Sequence, residues 1–149
     1  MKQPSPSLFR RHVVRANPVI STVLSSHLLI EHSLVRSLYA VMPSPAALFR
    51  SRTPSFFQLV DLAESLTAVP PDLAAVLRCL NTLRNQFAHR LSYDPTSQEI
   101  DALLRSLKEM DEPFYVSLCP PPERELLLAL ASVCGRMEMQ ARSIGATEL

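Results

Sequence analysis

Glycine is scarce in this sequence, which contains 2 glycines, Gly135 and Gly145, among 149 residues. A Gly-rich phosphate loop, a G-x-S-x-G nucleophile elbow and the tight turns of β-hairpins all require glycine at defined positions. The sequence therefore excludes P-loop nucleotide hydrolysis and the serine chemistry of α/β-hydrolases. It also gives no alternating pattern typical of strands.

Cysteine is rare as well, and its spacing is irregular. Cys79, Cys119 and Cys134 form no C-x-x-C pair, so the sequence predicts reduced thiols rather than a disulfide framework or a zinc site. Charge of one sign is not in excess, because 15 Lys and Arg face 14 Asp and Glu, a net charge of +1. With so small a net charge, the protein has no overall electrostatic attraction to nucleic acid or to an anionic membrane. Such binding would need a local site.

Long uninterrupted apolar segments are also missing. The most apolar stretch, from Val19 to Val41, is broken by polar residues that include Ser25, Ser26, His27, Glu31, His32 and Arg36. It is too polar to span a bilayer. The basic residues near the start, Lys2, Arg10 and Arg11, are not followed by an apolar segment of the signal-peptide type. We therefore expect a soluble, cytoplasmic protein without a membrane segment.

The sequence is rich in hydrophobic residues (47%), mainly Leu and Ala, and its 13 prolines mostly fall between apolar periodic segments. This pattern predicts an all-α fold, a single-domain up-and-down bundle of four to five helices. We expect an N-terminal arm or short extra helix over 1–16, the bundle over 17–144 and a tail over 145–149. The predicted helices cover about 18–39, 53–66, 70–91, 95–112 and 123–143.

The third predicted helix combines a regular apolar stripe with an unusual polar group. At about 100° per residue, a stripe roughly 120° wide holds Leu73, Val76, Leu77, Leu80, Leu83, Phe87 and Leu91. Arg84 lies at the edge of this stripe, and Asn85 and His89 lie one turn apart on an adjoining face. An arginine, an amide and a histidine thus come together near the end of a core helix.

Arg84 has two possible environments, because a guanidinium beside a core is costly without a partner. One is an internal salt bridge, for which the candidate carboxylates are Glu31, Asp61 and Glu64. The other is a cleft in which Arg84 meets a ligand. His89 also has two possible roles. It either takes part in a functional site, or it has only a structural role at the C-terminal end of the helix, near the negative end of the helix dipole.

The segment Leu83-Arg84-Asn85-Gln86-Phe87-Ala88-His89 resembles the R-x4-6-H signature of the HEPN superfamily (higher eukaryotes and prokaryotes nucleotide-binding domain). In that signature a polar residue usually follows the arginine. The helix plan of most of the chain is also similar, whereas residues 80–93 carry the specific resemblance. Active HEPN proteins are metal-independent endoribonucleases that pair two motif helices across a two-fold interface.

The resemblance implies a catalytic set of Arg84, Asn85 and His89, without a metal or another cofactor. His89 would transfer protons to or from the ribose 2′-hydroxyl or the leaving 5′-oxygen. Arg84 would hold the scissile phosphate, and Asn85 would orient one of these groups. The product would be a 2′,3′-cyclic phosphate, so the substrate is RNA. One motif helix offers one histidine, which predicts a homodimer.

The resemblance also implies a toxin or defence effector that is held in check by an antitoxin protein. In HEPN toxins paired with a nucleotidyltransferase antitoxin, a tyrosine two residues beyond the histidine is adenylylated. Here Leu91 occupies that position and Tyr93 follows two residues later, which departs from the pattern. The mannitol operon repressor type has a comparable helix plan and acts in regulation. A catalytically silent regulatory or protein-interaction module is therefore the alternative.

The other polar and aromatic groups have simpler interpretations. His27 is expected at a polar edge and His32 beside the core, neither of them at metal-ligand spacing. Phe56 and Phe57 are expected in the core or in a dimer contact before they serve as stacking platforms. The basic cluster within residues 10–15 could contact a phosphate backbone or an acidic partner.

Overall fold

The computed structural model describes residues 18–50, 52–89, 97–108 and 122–147. These residues form helices and connections, with no strand among them, which confirms the predicted all-α class. The helices are α1 (Pro18–Val41), α2 (Pro45–Phe49), α3 (Phe56–Ser65), α4 (Pro71–His89), α5 (Ser97–Lys108) and α6 (Pro122–Ser143). The predicted arm, the last two residues of the predicted tail, Cys119, Leu91 and Tyr93 lie outside the described residues.

Proline marks the starts of the helices, as the sequence predicts. Pro18, Pro45, Pro71 and Pro122 each occupy the first residue of a helix, where the missing N–H costs no hydrogen bond. The short helix α2 is a difference, since the segment after Met42 was expected to be a connection. Five residues are too few to show a helical period, so the pattern of apolar residues gave no signal there.

Helix α3 begins at Phe56 rather than at the predicted Thr53–Pro54. Ser55 and Gln58 form a capping box: the Ser55 hydroxyl accepts from the Gln58 N–H, and the Gln58 side chain accepts from the Ser55 N–H. These two bonds satisfy backbone donors that the first turn leaves free. The capping box, rather than the Thr-Pro pair, sets the start of the helix.

Helices α3, α4 and α5 each pack against the next helix in sequence, and α1 packs extensively against α6. The Cys134 thiol of α6 donates to the carbonyl of Ser26 on α1, and Arg36, which lies later on α1, bonds Glu138, which lies later on α6. Because the contacts advance along both helices in the same sense, α1 and α6 run in the same direction. Five long helices of alternating direction require that the first and last be parallel, as an up-and-down bundle predicts.

The core contains the apolar face of every long helix. The predicted stripe of α4 is confirmed as far as it is described, because its six members from Leu73 to Phe87 are buried. Phe57 and Leu127 lie outside this core and are 50% and 52% exposed. Neighbouring residues on a helix point about 100° apart, and Phe56 and Leu126 take the buried positions. Of the two places expected for Phe57, the core is therefore excluded and a dimer contact stays a prediction.

Arg36 joins α1 to the end of α6 from a largely buried position. Its guanidinium bonds Glu138 at 2.9 Å and donates to the carbonyls of Thr147 and Ala146 at 3.0 and 3.5 Å. Carbonyls that follow a helix end lack partners within the helix. Arg36 therefore satisfies backbone acceptors beyond α6 and holds this segment against α1.

Candidate functional site

A cleft of about 410 Å³ opens between α1, α4 and the start of α3. Helix α1 contributes two side chains one turn apart, and α4 contributes three that share one face over a single turn. The start of α3 closes the third side. The lining side chains are His27 and Glu31 from α1, Ser55, Phe56 and Phe57 from α3, and Asn81, Arg84 and Asn85 from α4.

Arg84 is half-buried and lines this cleft. Its Nη1 donates to Asn85 Oδ1 at 3.1 Å, and none of the described carboxylates lies within salt-bridge distance of the guanidinium. Of the two environments that the sequence allows, the structure therefore favours the cleft. The guanidinium keeps donors that a ligand anion could use.

The alternative environment of Arg84, a salt bridge with Asp61 or Glu64, is not formed, because another arginine of α4 bonds both carboxylates. Arg78 donates to Asp61 at 2.6 Å and also bonds Glu64. Its guanidinium lies 6.0 Å from the centre of the Phe57 ring. Arg78 lies six residues before Arg84, about 9 Å along the helix, and so faces the middle of α3 rather than its start.

Glu31 also lines the cleft and does not form an ion pair with Arg84. A carboxylate and a guanidinium therefore face the same space unpaired with each other. A ligand that carries both an anion and hydrogen-bond donors would satisfy both groups. A ribose next to a phosphate has this combination, because its hydroxyls can donate and its phosphate oxygens accept.

His27 is a cleft residue that the sequence analysis misplaced. It was expected at a polar edge and is 4% exposed, whereas His32, expected beside the core, is exposed. The spacing Val23, His27, Ile30, Leu34 follows the period of the buried face. This apolar stripe is the signal that could have placed His27 inside.

The His27 ring is held on two sides. Its centroid lies 4.0 Å from that of Phe56, and its Nε2 lies 3.3 Å from Asn81 Oδ1. Burial lowers the pKa of His27 below its ordinary value, and the positive charge of Arg84 lowers it further. The hydrogen bond with Asn81 and the charge of Glu31 oppose this shift of the pKa. At neutral pH the imidazole is therefore uncharged.

His89 does not join the cleft. It is the last residue of α4 and is exposed, and a separation of five residues turns it about 140° away from Arg84 around the helix. Of the three residues predicted to act together, the structure brings Arg84 and Asn85 into one cleft and leaves His89 outside it.

Two further observations bear on the site. Within the described ranges, no three His, Cys, Asp or Glu side chains are grouped so that they could hold a metal ion. No helix in the same ranges is long and apolar enough to cross a membrane.

Comparison with known proteins finds no matching family model, curated protein or solved structure. The resemblance of the Arg84-to-His89 segment to the HEPN signature therefore stays a prediction. What can be said of function depends on the geometry of the cleft and on the chemistry of its residues.

Proposed function

We propose that this protein is a HEPN-type, metal-independent endoribonuclease that cleaves RNA to 2′,3′-cyclic phosphate ends. The observation that best supports this proposal is the environment of Arg84, which lines an open cleft without a carboxylate partner among the described residues. Arginines near a core are usually neutralised by a carboxylate. An arginine without such a partner retains its capacity to bind a phosphate.

Each residue of the motif has a role in this reaction. Arg84 binds the scissile phosphate and stabilises the charge that develops on its oxygens. Asn85 accepts a hydrogen bond from Arg84 Nη1 and so orients the guanidinium. His89 transfers protons, because an imidazole nitrogen can accept a proton and another can donate one. The 2′-hydroxyl is the nucleophile, which restricts the substrate to RNA.

The position of His89 makes the proposal depend on a homodimer. His89 and Arg84 of one chain point about 140° apart, so His89 would reach the cleft of a second copy rather than its own. A two-fold axis beside α4 would then create two equivalent composite sites. The biological setting that we propose is a cytoplasmic toxin or defence effector controlled by an antitoxin protein.

The cleavage test uses a short RNA in EDTA. We expect cyclic phosphate products, a loss of at least about 10²-fold in rate for Arg84→Ala and His89→Ala, and no cleavage of an oligonucleotide with a 2′-deoxy residue at the cut site. Arg105→Ala is the matched control, because Arg105 is an exposed arginine of α5. Uncut RNA, or cleavage that persists in Arg84→Ala, would contradict the proposal.

Mixing two inactive variants tests the composite site directly. A mixture of Arg84→Ala and His89→Ala forms mixed dimers in which one of the two sites keeps both side chains. Equal amounts should recover about a quarter of the wild-type activity, since half of the dimers are mixed and each has one intact site. A mixture that stays inactive although subunits exchange would exclude a site shared in this way.

The alternative is a catalytically silent regulatory or protein-interaction module, similar to the mannitol operon repressor type. The exposed position of His89 outside the cleft favours it, as does the carboxylate of Glu31, which repels a phosphate. On this alternative the pure protein leaves RNA uncut. Arg84 would then bind an acidic group of a partner protein.

A further inference from the structure

Among the histidines that the structure describes, His27 shares a cleft with Arg84 in a single chain. Both side chains line the same 410 Å³ space, and the charge of Arg84 acts on the imidazole strongly enough to influence its pKa. His89, in contrast, lies outside this space. The proposed reaction needs one group that removes a proton and another that supplies one, and His89 alone cannot do both in the same step.

The hydrogen bond of His27 determines which ring nitrogen is basic. Asn81 Oδ1 is an acceptor, so the Nε2 that lies 3.3 Å from it carries the hydrogen. Nδ1 then has the free lone pair. The ring is also oriented by Phe56 at 4.0 Å between centroids. A histidine held on two sides in its uncharged form is suited to act as a base.

Glu31 provides a negative charge that stabilises the imidazolium of His27 once the ring has taken a proton. It lies one turn after His27 on α1 and lines the same cleft, and its negative charge favours the protonated imidazole. The arrangement of an arginine for the phosphate, a neutral imidazole and a nearby carboxylate is typical of a site in which positive charge develops on the imidazole during reaction.

From this arrangement we propose that His27 is a catalytic base of the cleft and takes the proton of the ribose 2′-hydroxyl while Arg84 holds the adjacent phosphate. This inference rests on the proposed ribonuclease function. The 2′-oxygen forms a bond to phosphorus as its proton passes to His27 Nδ1. The bond from phosphorus to the 5′-oxygen breaks, its electron pair stays on that oxygen, and protonated His89 of the second copy supplies the proton.

The test compares His27→Gln with the wild type in the same RNA assay. Glutamine keeps a donor that can reach Asn81 but cannot act as a base near neutral pH. We expect kcat to fall by at least about 10²-fold with little change in KM. The acidic limb of the pH–rate profile, which reports the base, should disappear. His32 is an exposed histidine on the same helix. His32→Gln should leave both kcat and the acidic limb of the pH–rate profile unchanged.

A second measurement keeps His27 in place and so does not depend on whether His27→Gln folds. The imidazole of His27 can be titrated by nuclear magnetic resonance in the wild-type protein, with and without inorganic phosphate. Phosphate bound at Arg84 should raise the pKa of His27, and Arg84→Met should abolish this response. A pKa of His27 that is unchanged by saturating phosphate overturns the inference.

The outcomes separate this inference from the proposal on which it rests. Cleavage that requires Arg84 and His89 but continues in His27→Gln with an unchanged pH profile overturns the role of His27 and leaves the ribonuclease function in place. Wild-type protein that cuts no RNA overturns both. Loss of kcat in His27→Gln, with helicity and melting temperature retained, supports both.

Discussion

At the scale of residues, the two half-buried arginines of α4 have different environments. Arg78 bonds two carboxylates of α3, whereas Arg84 bonds an amide and faces a cleft. The sequence gives no sign of this difference, because it places both arginines on the same helix without showing which of them reaches the carboxylates of α3. The contrast predicts opposite effects on stability and on ligand binding.

Replacement of Arg84 should leave the fold nearly as stable as before. Arg84→Met removes no ion pair, so we expect a change of less than about 0.5 kcal/mol in the free energy of unfolding. Arg78→Met breaks two partly exposed pairs and should cost about 1 kcal/mol. Urea denaturation of both variants measures the difference. A larger decrease in the free energy of unfolding for Arg84→Met than for Arg78→Met would show that Arg84 is a structural residue.

For phosphate or RNA binding we expect the reverse order, with the larger effect in Arg84→Met and the smaller effect in Arg78→Met. Arg84→Met should weaken binding and Arg78→Met should not, since Arg78 is engaged with Asp61 and Glu64. Glu31→Gln should tighten binding, because it removes the negative charge that faces the phosphate. Equilibrium titration with a labelled RNA measures all three. Equal affinities for the Arg84 and Arg78 variants would argue against Arg84 as the phosphate ligand.

At the scale of elements, α3 positions one wall of the cleft through its first turn. Ser55 caps this helix and also lines the cleft beside Phe56 and Phe57. The capping box therefore links the stability of a helix end to the shape of the site. Loss of the cap should destabilise the first turn of α3, and with it the side of the cleft that this turn forms.

Removal of the cap gives a measurable cost at this helix end. Ser55→Ala should lower the free energy of unfolding by about 1 kcal/mol, because the Gln58 N–H loses its acceptor. Ser65→Ala is the matched control at the other end, where the hydroxyl bonds a carbonyl of its own helix. Thermal unfolding checks both variants, and equal losses would contradict the assigned cap.

At the scale of the whole molecule, burial of His27 makes stability depend on pH. The folded protein has a lower pKa for His27 than the unfolded chain, whose value is near 6.5. At a pH between these two pKa values, the unfolded chain binds more protons than the folded protein does. The contribution of His27 to the free energy of unfolding is therefore fully present above about pH 6.5, and it is lost as the pH falls through the pKa of the folded protein. The charged groups that face His27 are Glu31 on its own helix and Arg84 on α4.

Urea denaturation from pH 7.5 to 5 should show this decrease, and His27→Gln should flatten the profile over that range. His32→Gln should leave it unchanged, because His32 is exposed. Glu138, whose pKa is lowered by the neighbouring Arg142 and Arg36, contributes at lower pH, as its ordinary value is 4.5. A profile that stays steep in His27→Gln would assign the dependence to another group.

Much of the bundle could be predicted from the sequence, because prolines, caps and the 3.6-residue period are local properties. The α4 stripe and the starts of α1 and α4 follow from them. Helix α2 could not be predicted, since a helix of five residues has no period to detect. The predicted start of α3 at Thr53–Pro54 is wrong, because the capping box of Ser55 and Gln58 begins the helix at Phe56.

The sequence by itself determined that Arg84, Asn85 and His89 lie near the end of a helix with a buried face, Arg84 at the edge of that face and the other two beside it. The tertiary structure decided their partners: Arg78 takes the carboxylates of α3, Arg84 faces the cleft, and His27 enters it from α1. The physical reason is that a helical period places a side chain around its own axis, whereas the distance to a charge on another helix depends on how the helices are set against each other.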